Sequence, residues 1–238
     1  RHRPGHAPGA TTAFVIALFM TRSRFDPGIN ELPGRIPIFP LTGALLLPGG
    51  RLPLNIYEPR YLALFDDALA GNRLVGMIQP AIANNEKEEQ APALYETGCA
   101  GRITSFSETD DGRYLVTLTG LIRFHLREEL PAEAYRVVAA DFEDFHHDLV
   151  ESDPAIDRER LLSALKVYFE MFSISGDWNS IEQAPAERLV TSLSMLCPFE
   201  PWEKQALLES ENIATRADAL TALLEMSIHQ REGETARH

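Results

Sequence analysis

Lysine is nearly absent: Lys87, Lys166 and Lys204 are the only three in 238 residues. A phosphate-binding loop runs glycines directly into a lysine whose ammonium reaches the phosphates. Here the residues before the lysines are Glu86, Leu165 and Glu203, so no ATP site of that type is built from them. Cysteine is sparse too. Cys99 and Cys197 lie far apart and make no metal-ligand spacing. They read as free thiols of a reducing compartment, which points to a cytoplasmic setting. Long apolar runs are lacking: Ala13 to Met20 is too short to span a bilayer. Arg22 and Arg24 follow it without a small-residue cleavage site. Residues 1–32 are therefore expected to be a disordered or non-native leader outside the fold, with a secretory signal or membrane anchor as the competing reading, and no membrane partner is expected.

Positive charge is also scarce. The formal net charge is −13, and residues 25–149 hold ten basic residues against nineteen acids. Such a body repels phosphate backbones and disfavours nucleic acid as a partner. Nucleic-acid binding would require Arg102, Arg113, Arg123, Arg127 and Arg136 to gather on one face. The sequence His146-His147-Asp148 beside Glu143 and Asp144 invites a metal reading. Adjacent histidines point to different sides of an extended chain, and helical metal pairs prefer i, i+3 or i+4 spacing. A solvated acidic linker accounts for it better, and no metal or cofactor is expected.

What is present begins with Ile36 to Tyr61, IPIFPLTGALLLPGGRLPLNIYEPRY. An apolar run broken by Pro37 and Pro40 leads to Pro48-Gly49-Gly50, and a second short apolar segment ends in Tyr57-Glu58-Pro59-Arg60-Tyr61. This predicts strand, loop, strand and helix, with Pro59 at the first helical position and Glu58 near the positive helix end. Short strands follow. Leu74–Ile82 is apolar, Ile82–Ala93 is a solvated loop, and Gly98–Ile103 opens a strand whose glycines suggest a bulge. Asp111-Gly112 is a favoured hairpin pair, and Tyr114–Thr119 alternates with period two. Leu121–Leu130 and Tyr135–Phe142 complete this part. After the acidic linker Glu143–Asp153 the period becomes helical. A cap-and-proline start at Asp153-Pro154 precedes Leu161, Leu165, Phe169 and Phe172 at helical spacing. Further helices are predicted from Pro185 to Cys197, from Pro201, and from the capping box at Thr215-Arg216-Ala217-Asp218.

The order IPIFPL…LLPG…LPLNIYEPRY closely resembles the start of the Lon N-terminal domain, the substrate-binding module of the ATP-dependent protease Lon. The glycine-bracketed strand containing Gly101 and the turn Gly120-Leu121-Ile122-Arg123-Phe124 extend the resemblance, which covers Ile36 to Ile228. It implies an α+β fold: a PUA-like pseudo-β-barrel over residues 33–148, a C-terminal α-helical bundle over 149–229, and a frayed tail over 230–238. Glu58, Pro59, Arg60, Tyr61, Gly101 and Gly120 become structural motif positions. Glu58 would serve the helix start, and Arg60 would tie that helix to a strand or carbonyl. The serine–lysine peptidase of full-length Lon finds no match, since Lys166 and Lys204 sit in helical stripes and no serine has a nucleophile setting. The zinc-binding CxxC pairs of some relatives are absent.

The implied role is that of the stand-alone bacterial Lon-domain proteins. It is a non-catalytic module for unfolded or tagged polypeptides, or an adaptor that delivers them to a separate protease. Nucleic-acid binding, as in other PUA-like barrels, is the alternative. A peptide surface needs exposed apolar residues near mobile backbone. Leu45, Leu46 and Leu47, before the Pro-Gly-Gly loop, are candidates, with a buried strand as the competing reading. Tyr168 and Phe172 are candidates because the helix from Pro154 carries more aromatic surface than one bundle stripe uses. Part of that helix is expected to pack on the β unit, with an acid-rimmed groove at the junction. Trp178 and Trp202, near helix ends, read as half-buried packing.

Overall fold

The computed structural model describes residues 13–14, 23–81, 92–150 and 155–235. The expected helix start at Pro154, most of the Ile82–Ala93 loop and most of the apolar stretch Ala13–Met20 lie outside them. In chain order the elements are β1 (Ala13–Phe14), β2 (Arg35–Pro40), β3 (Arg51–Ile56), α1 (Pro59–Ala70), β4 (Leu74–Ile78), β5 (Thr97–Glu108), β6 (Tyr114–Leu130) and β7 (Val137–Asp141). Then come α2 (Arg158–Met171), β8 (Ser175–Gly176), α3 (Trp178–Gln183), α4 (Ala186–Leu196), α5 (Pro201–Glu209) and α6 (Ile213–Thr235).

Six strands form one sheet in the order β3-β6-β5-β4-β2-β7, and β7 also pairs with β6. The pairings β6–β5–β4–β2–β7–β6 thus run in a closed circuit, with β3 added outside it. Within this sheet β2 and β4 are the parallel pair and the other pairings are antiparallel, while β1 and β8 form a separate two-residue parallel pair. β4 is buried along its whole length, as befits a strand with neighbours on both sides. The long β5–β6 ribbon shifts register at Ala100/Gly101 and Ile103/Ser105, and such bulges bend a ribbon so that it can curl. The sequence suggests two strands around Gly120, but β6 passes through it unbroken. β3 is an edge strand, and its Pro53 blunts that edge.

α1 starts as its sequence requires. Pro59 occupies the first turn, and the Glu58 carbonyl accepts from the amides of Tyr61 and Leu62, both at 2.9 Å. Phe65 is buried, Leu62 is partly buried, and Phe39 meets Tyr61 edge-on at 4.3 Å between ring centroids. The helix therefore seals against β2.

One hydrophobic core runs through both halves, from Phe39, Leu46, Phe65 and Leu118 to Leu161, Phe169, Leu193 and Leu220. A second, smaller cluster (Ile36, Ile122, Phe124, Val138, Phe145) lies on the other side of the sheet. α2 packs chiefly along α6 rather than on the strands, so its aromatic surplus serves the bundle and the shared core. It begins at Arg158, where the Asp157 side chain accepts from the Arg160 amide at 3.0 Å.

Three sequence expectations need correction here. From Ser23 onward the supposed leader is attached: Asp26 pairs with Arg102 at 2.7 Å, and Ile29 and Leu32 pack on the second cluster. The supposed frayed tail from Gln230 continues α6 to Thr235. The acidic stretch after β7 is a 3-10 turn, Glu143–Leu149, with Phe145 buried. It is not a solvated linker, because its Asp148 has a partner inside the molecule.

Candidate functional site

The leucines illustrate how the molecule decides what its surface is. Leu45, Leu46 and Leu47 are 2%, 2% and 0% exposed, so they are core and not an exposed peptide surface. Two glycines make this burial possible. A Cβ at Gly101 would stand 2.7 Å from Leu46 Cδ2, and one at Gly120 would stand 2.1 Å from Leu47 O. The loop crosses directly over these two positions of the sheet. Its polar backbone is satisfied there: the Gly49 amide donates to Gly120 O (2.9 Å), and the Gly120 amide donates to Gly50 O (2.8 Å). Gly101 and Gly120 are thus structural in a specific sense, as the seats of the Leu46–Leu47 segment.

Tyr168 is buried, and its ring lies 4.4 Å from that of half-buried Phe172, over which Arg231 sits at 5.2 Å. Neither residue is among those lining the two junction clefts that share Arg123, His147 and Glu211. Among the motif residues, Arg60 does not tie α1 to a strand or carbonyl. It pairs with Glu58 at 2.8 Å, stacks over Tyr61 at 4.5 Å, and remains exposed. Arg60 and Tyr61, with Pro40 and Glu129 to Arg136, line a cleft of about 370 Å³. Trp178 packs on Phe169, whereas Trp202 is exposed.

The junction is built by Arg123, which is 1% exposed. Its Nε donates to Asp148 Oδ2 (2.9 Å) and its Nη2 to Asp148 Oδ1 (2.8 Å), while its own amide also reaches Asp148 Oδ2 (3.0 Å). Nη1 donates to the carbonyls of Leu208 (3.1 Å) and Ser210 (2.6 Å) at the end of α5. The negative end of that helix favours a cation there. Phe145 covers the guanidinium face at 4.6 Å. Arg216, in the first turn of α6, donates from Nε to Leu207 O at 2.7 Å, so two arginines hold the last carbonyls of α5. Alongside runs a polar seam in which Gln79 Nε2 donates to Pro201 O (3.0 Å), Gln205 Nε2 to Thr97 O (3.2 Å) and Lys204 Nζ to Gly43 O (2.7 Å). Burial lowers the pKa of Lys204 and raises that of the neighbouring Cys197 to about 12. Both thiols are buried and unpaired.

Two clefts open along this junction and share Arg123, His147 and Glu211. One, of about 270 Å³, has Pro48, Val150 and Ile213 as apolar walls, with Glu187 and Glu211 beside them. The other, of about 500 Å³, is lined by Phe145, His125, Glu96, Asp144 and Glu209. Val150, at 67% exposure, is an apolar side chain presented at the first cleft. Sequence reasoning missed Arg123, Asp148 and Arg216 as a site. The one legible signal was a lone arginine inside the apolar run Leu121-Ile122-Arg123-Phe124, since a charge is buried only with a partner.

No group of residues suited to a metal ion occurs among the described residues, and none of the described helices is long and apolar enough to cross a membrane. The five arginines that a nucleic-acid face would need are committed to carboxylates. Arg102 pairs with Asp26, Arg113 with Asp111, Arg123 with Asp148, Arg127 with Asp141, and Arg136 with Glu129.

A strand circuit sealed by one helix, with a helical bundle clamped to it by a buried arginine, defines a mixed α+β domain of a known type. The chain belongs to the family of the ATP-dependent protease La (LON) substrate-binding domain, which it matches over residues 35–226. The Lon protease of Cytophaga hutchinsonii is 26% identical over 223 residues, covering 92% of this chain and 27% of that protein. The Lon protease of Desulfosudis oleivorans is 24% identical over 213 residues, covering 82% of this chain and 24% of that protein. The chain thus spans about a quarter of the length of these relatives, and 15% of the Lon protease of Flavobacterium johnsoniae. Among solved structures, a Lon N-terminal domain protein from Xanthomonas campestris superposes with a TM-score of 0.56 at 24% identity, covering 79% of this chain and 97% of that one. The N-terminal domain of a Mycobacterium avium complex Lon protease gives 0.56 at 15% identity, covering 80% and 98%. These two likenesses concern the fold alone.

Proposed function

We propose that this chain recognises polypeptides without itself catalysing a reaction, and that the contact is made at the cleft beside Val150. The observation that carries the reading is an exposed apolar residue at an apolar-walled cleft, in a family named for substrate binding. Apolar clefts with a few convergent polar groups are the usual form of a binding site. The closed strand circuit is read as a PUA-like pseudo-barrel, which serves as the rigid base for that surface. The role requires no cofactor, and its natural partner is a separate protease to which captured chains are delivered. A cytoplasmic setting is part of the proposal and is supported by the two buried, unpaired thiols.

The test is photo-crosslinking and fluorescence anisotropy with an unfolded reporter polypeptide. Val150→Asp, on an exposed position, is expected to weaken binding by about tenfold, roughly 1.4 kcal/mol, with unchanged thermal unfolding. Leu46→Asp is unsuitable because it unfolds the core. Wild-type binding no stronger than that of an unrelated acidic protein sinks the reading, as does undiminished binding by Val150→Asp.

A further inference from the structure

Arg216 is 2% exposed, yet its guanidinium is largely unused. A guanidinium carries five N–H donors in a planar fork. Nε donates to Leu207 O, whereas buried Nη2 has no hydrogen-bond partner among the described residues. A buried unpaired cation is costly, by several kcal/mol in order of magnitude. Glu187, in the same cleft, offsets part of this charge from a distance without a hydrogen bond to Arg216. Arg123 and Arg216 are both buried, and the buried carboxylate between the two halves, Asp148, is already chelated by Arg123. Burial, and next the proximity of Arg123, lower the pKa of Arg216 to about 10. It remains charged at neutral pH.

This cation lines the 270 Å³ cleft together with Asn212 and Ile213, which begin α6. α6 is 23 residues long and has no acid in its first turn. Its N-terminus adds positive potential to the same spot, partly offset by Glu211 just before it. Asp148, Glu187 and Glu211 also line the cleft, so its positive feature is local: the unsatisfied edge of the Arg216 guanidinium rather than the cleft as a whole. Pro48, Val150 and Ile213 stand beside it as apolar surface.

We propose that this cleft binds the C-terminal carboxylate of a polypeptide, with Arg216 as the residue that recognises it. The carboxylate accepts from the free edge of the guanidinium after a small rotation of its plane, the bidentate arrangement that arginine favours. The last side chain of the bound polypeptide lies against Pro48, Val150 and Ile213. A chain end fits better than an internal acidic side chain because charge and apolar walls are adjacent in a small cleft. The inference rests on the proposal that the junction binds polypeptides, and it specifies which part of the polypeptide is recognised.

The experiment uses the full chain and fluorescence anisotropy with three labelled decapeptides of small apolar residues. One ends in a free carboxylate, one in a carboxamide, and one in a carboxamide with a glutamate in the middle. The free acid is expected to bind at least about tenfold more tightly than either amide, the loss that follows removal of a charged hydrogen-bonding group. Arg216→Gln should make the three peptides equal. If that variant does not fold, Glu187→Gln serves instead: removing a rim carboxylate should tighten the acid peptide and leave the plain amide unchanged. Equal binding of acid and plain amide by the wild type overturns the chain-end proposal while the polypeptide reading stands. Equal binding of the acid and the glutamate peptide, or full competition by acetate at the same concentration as peptide, overturns it in favour of a general carboxylate site. Binding of no peptide at all overturns both readings.

Discussion

Gly120 and Gly43 are both glycines of the strand-rich part of the chain, but the structure needs them for different reasons. Gly43 has a positive φ of 72°, and nothing lies within 4 Å of the place a methyl group would take, so its cost on substitution is backbone strain alone. Gly120 has no room: its Cβ would lie 2.1 Å from the backbone oxygen of Leu47. Gly43→Ala should therefore lose about 1 kcal/mol, the usual left-handed penalty. Gly120→Ala should lose about 3 kcal/mol, the upper end for overpacking, because backbone rather than a flexible side chain must move. Urea unfolding of the two variants checks this, and a smaller loss for Gly120→Ala would mean that the leucine loop is not seated on the sheet. Gly120, like Gly101, was legible in the sequence as a motif position, but its purpose was not. Three leucines before Pro-Gly-Gly look alike whether the loop is roofed or open. What decides is the pair of hydrogen bonds between that loop and Gly120, far along the chain.

Among the elements, those set by local chemistry were readable. α1 and α5 begin with proline at the first turn as their sequences indicate, whereas α6 starts earlier than the capping box expected at Thr215: Asn212 precedes the helix and exchanges hydrogen bonds with Thr215 in its first turn. α2 misled because Asp153-Pro154 and Asp157 are both acceptable starts, and the described helix uses the second. The 3-10 turn Glu143–Leu149 misled more seriously, since an acidic composition reads as solvated when the cation it meets lies on another strand. Its tie to β6 can be measured. Arg123→Met alone should lose about 3–5 kcal/mol, as removal of one partner from a buried pair does. Asp148→Leu alone should be similarly damaging because Arg123 is left uncompensated. The double variant Arg123→Met/Asp148→Leu should recover a large part of the loss, and a double-mutant cycle reads that coupling. Strict additivity would show that strand and turn are held independently of this pair.

For the whole molecule, the question is whether strands and helices are two bodies or one. The sequence shows a change of period from two to helical near residue 150, which invites a division into domains. Packing argues the other way. A single core contains Leu46 and Leu118 from the sheet side with Leu193 and Leu220 from the bundle. The polar ties at the junction are buried and directed across it, from Arg123 to Leu208 O and Ser210 O and from Lys204 to Gly43 O. The helices are short apart from α6, and short isolated helices are marginal in water without a surface to pack on. Neither half therefore completes its core alone. Truncation after Phe145 removes Asp148 and the carbonyls that Arg123 serves, and it uncovers the sheet side of the shared core. The fragment is expected to aggregate or to melt well below the full chain, read by size-exclusion chromatography and thermal unfolding. A monomeric fragment with an unchanged melting temperature would show two independent domains. The junction clefts would then be a gap between neighbours, and the carboxylate specificity assigned to Arg216 would lose its rigid frame.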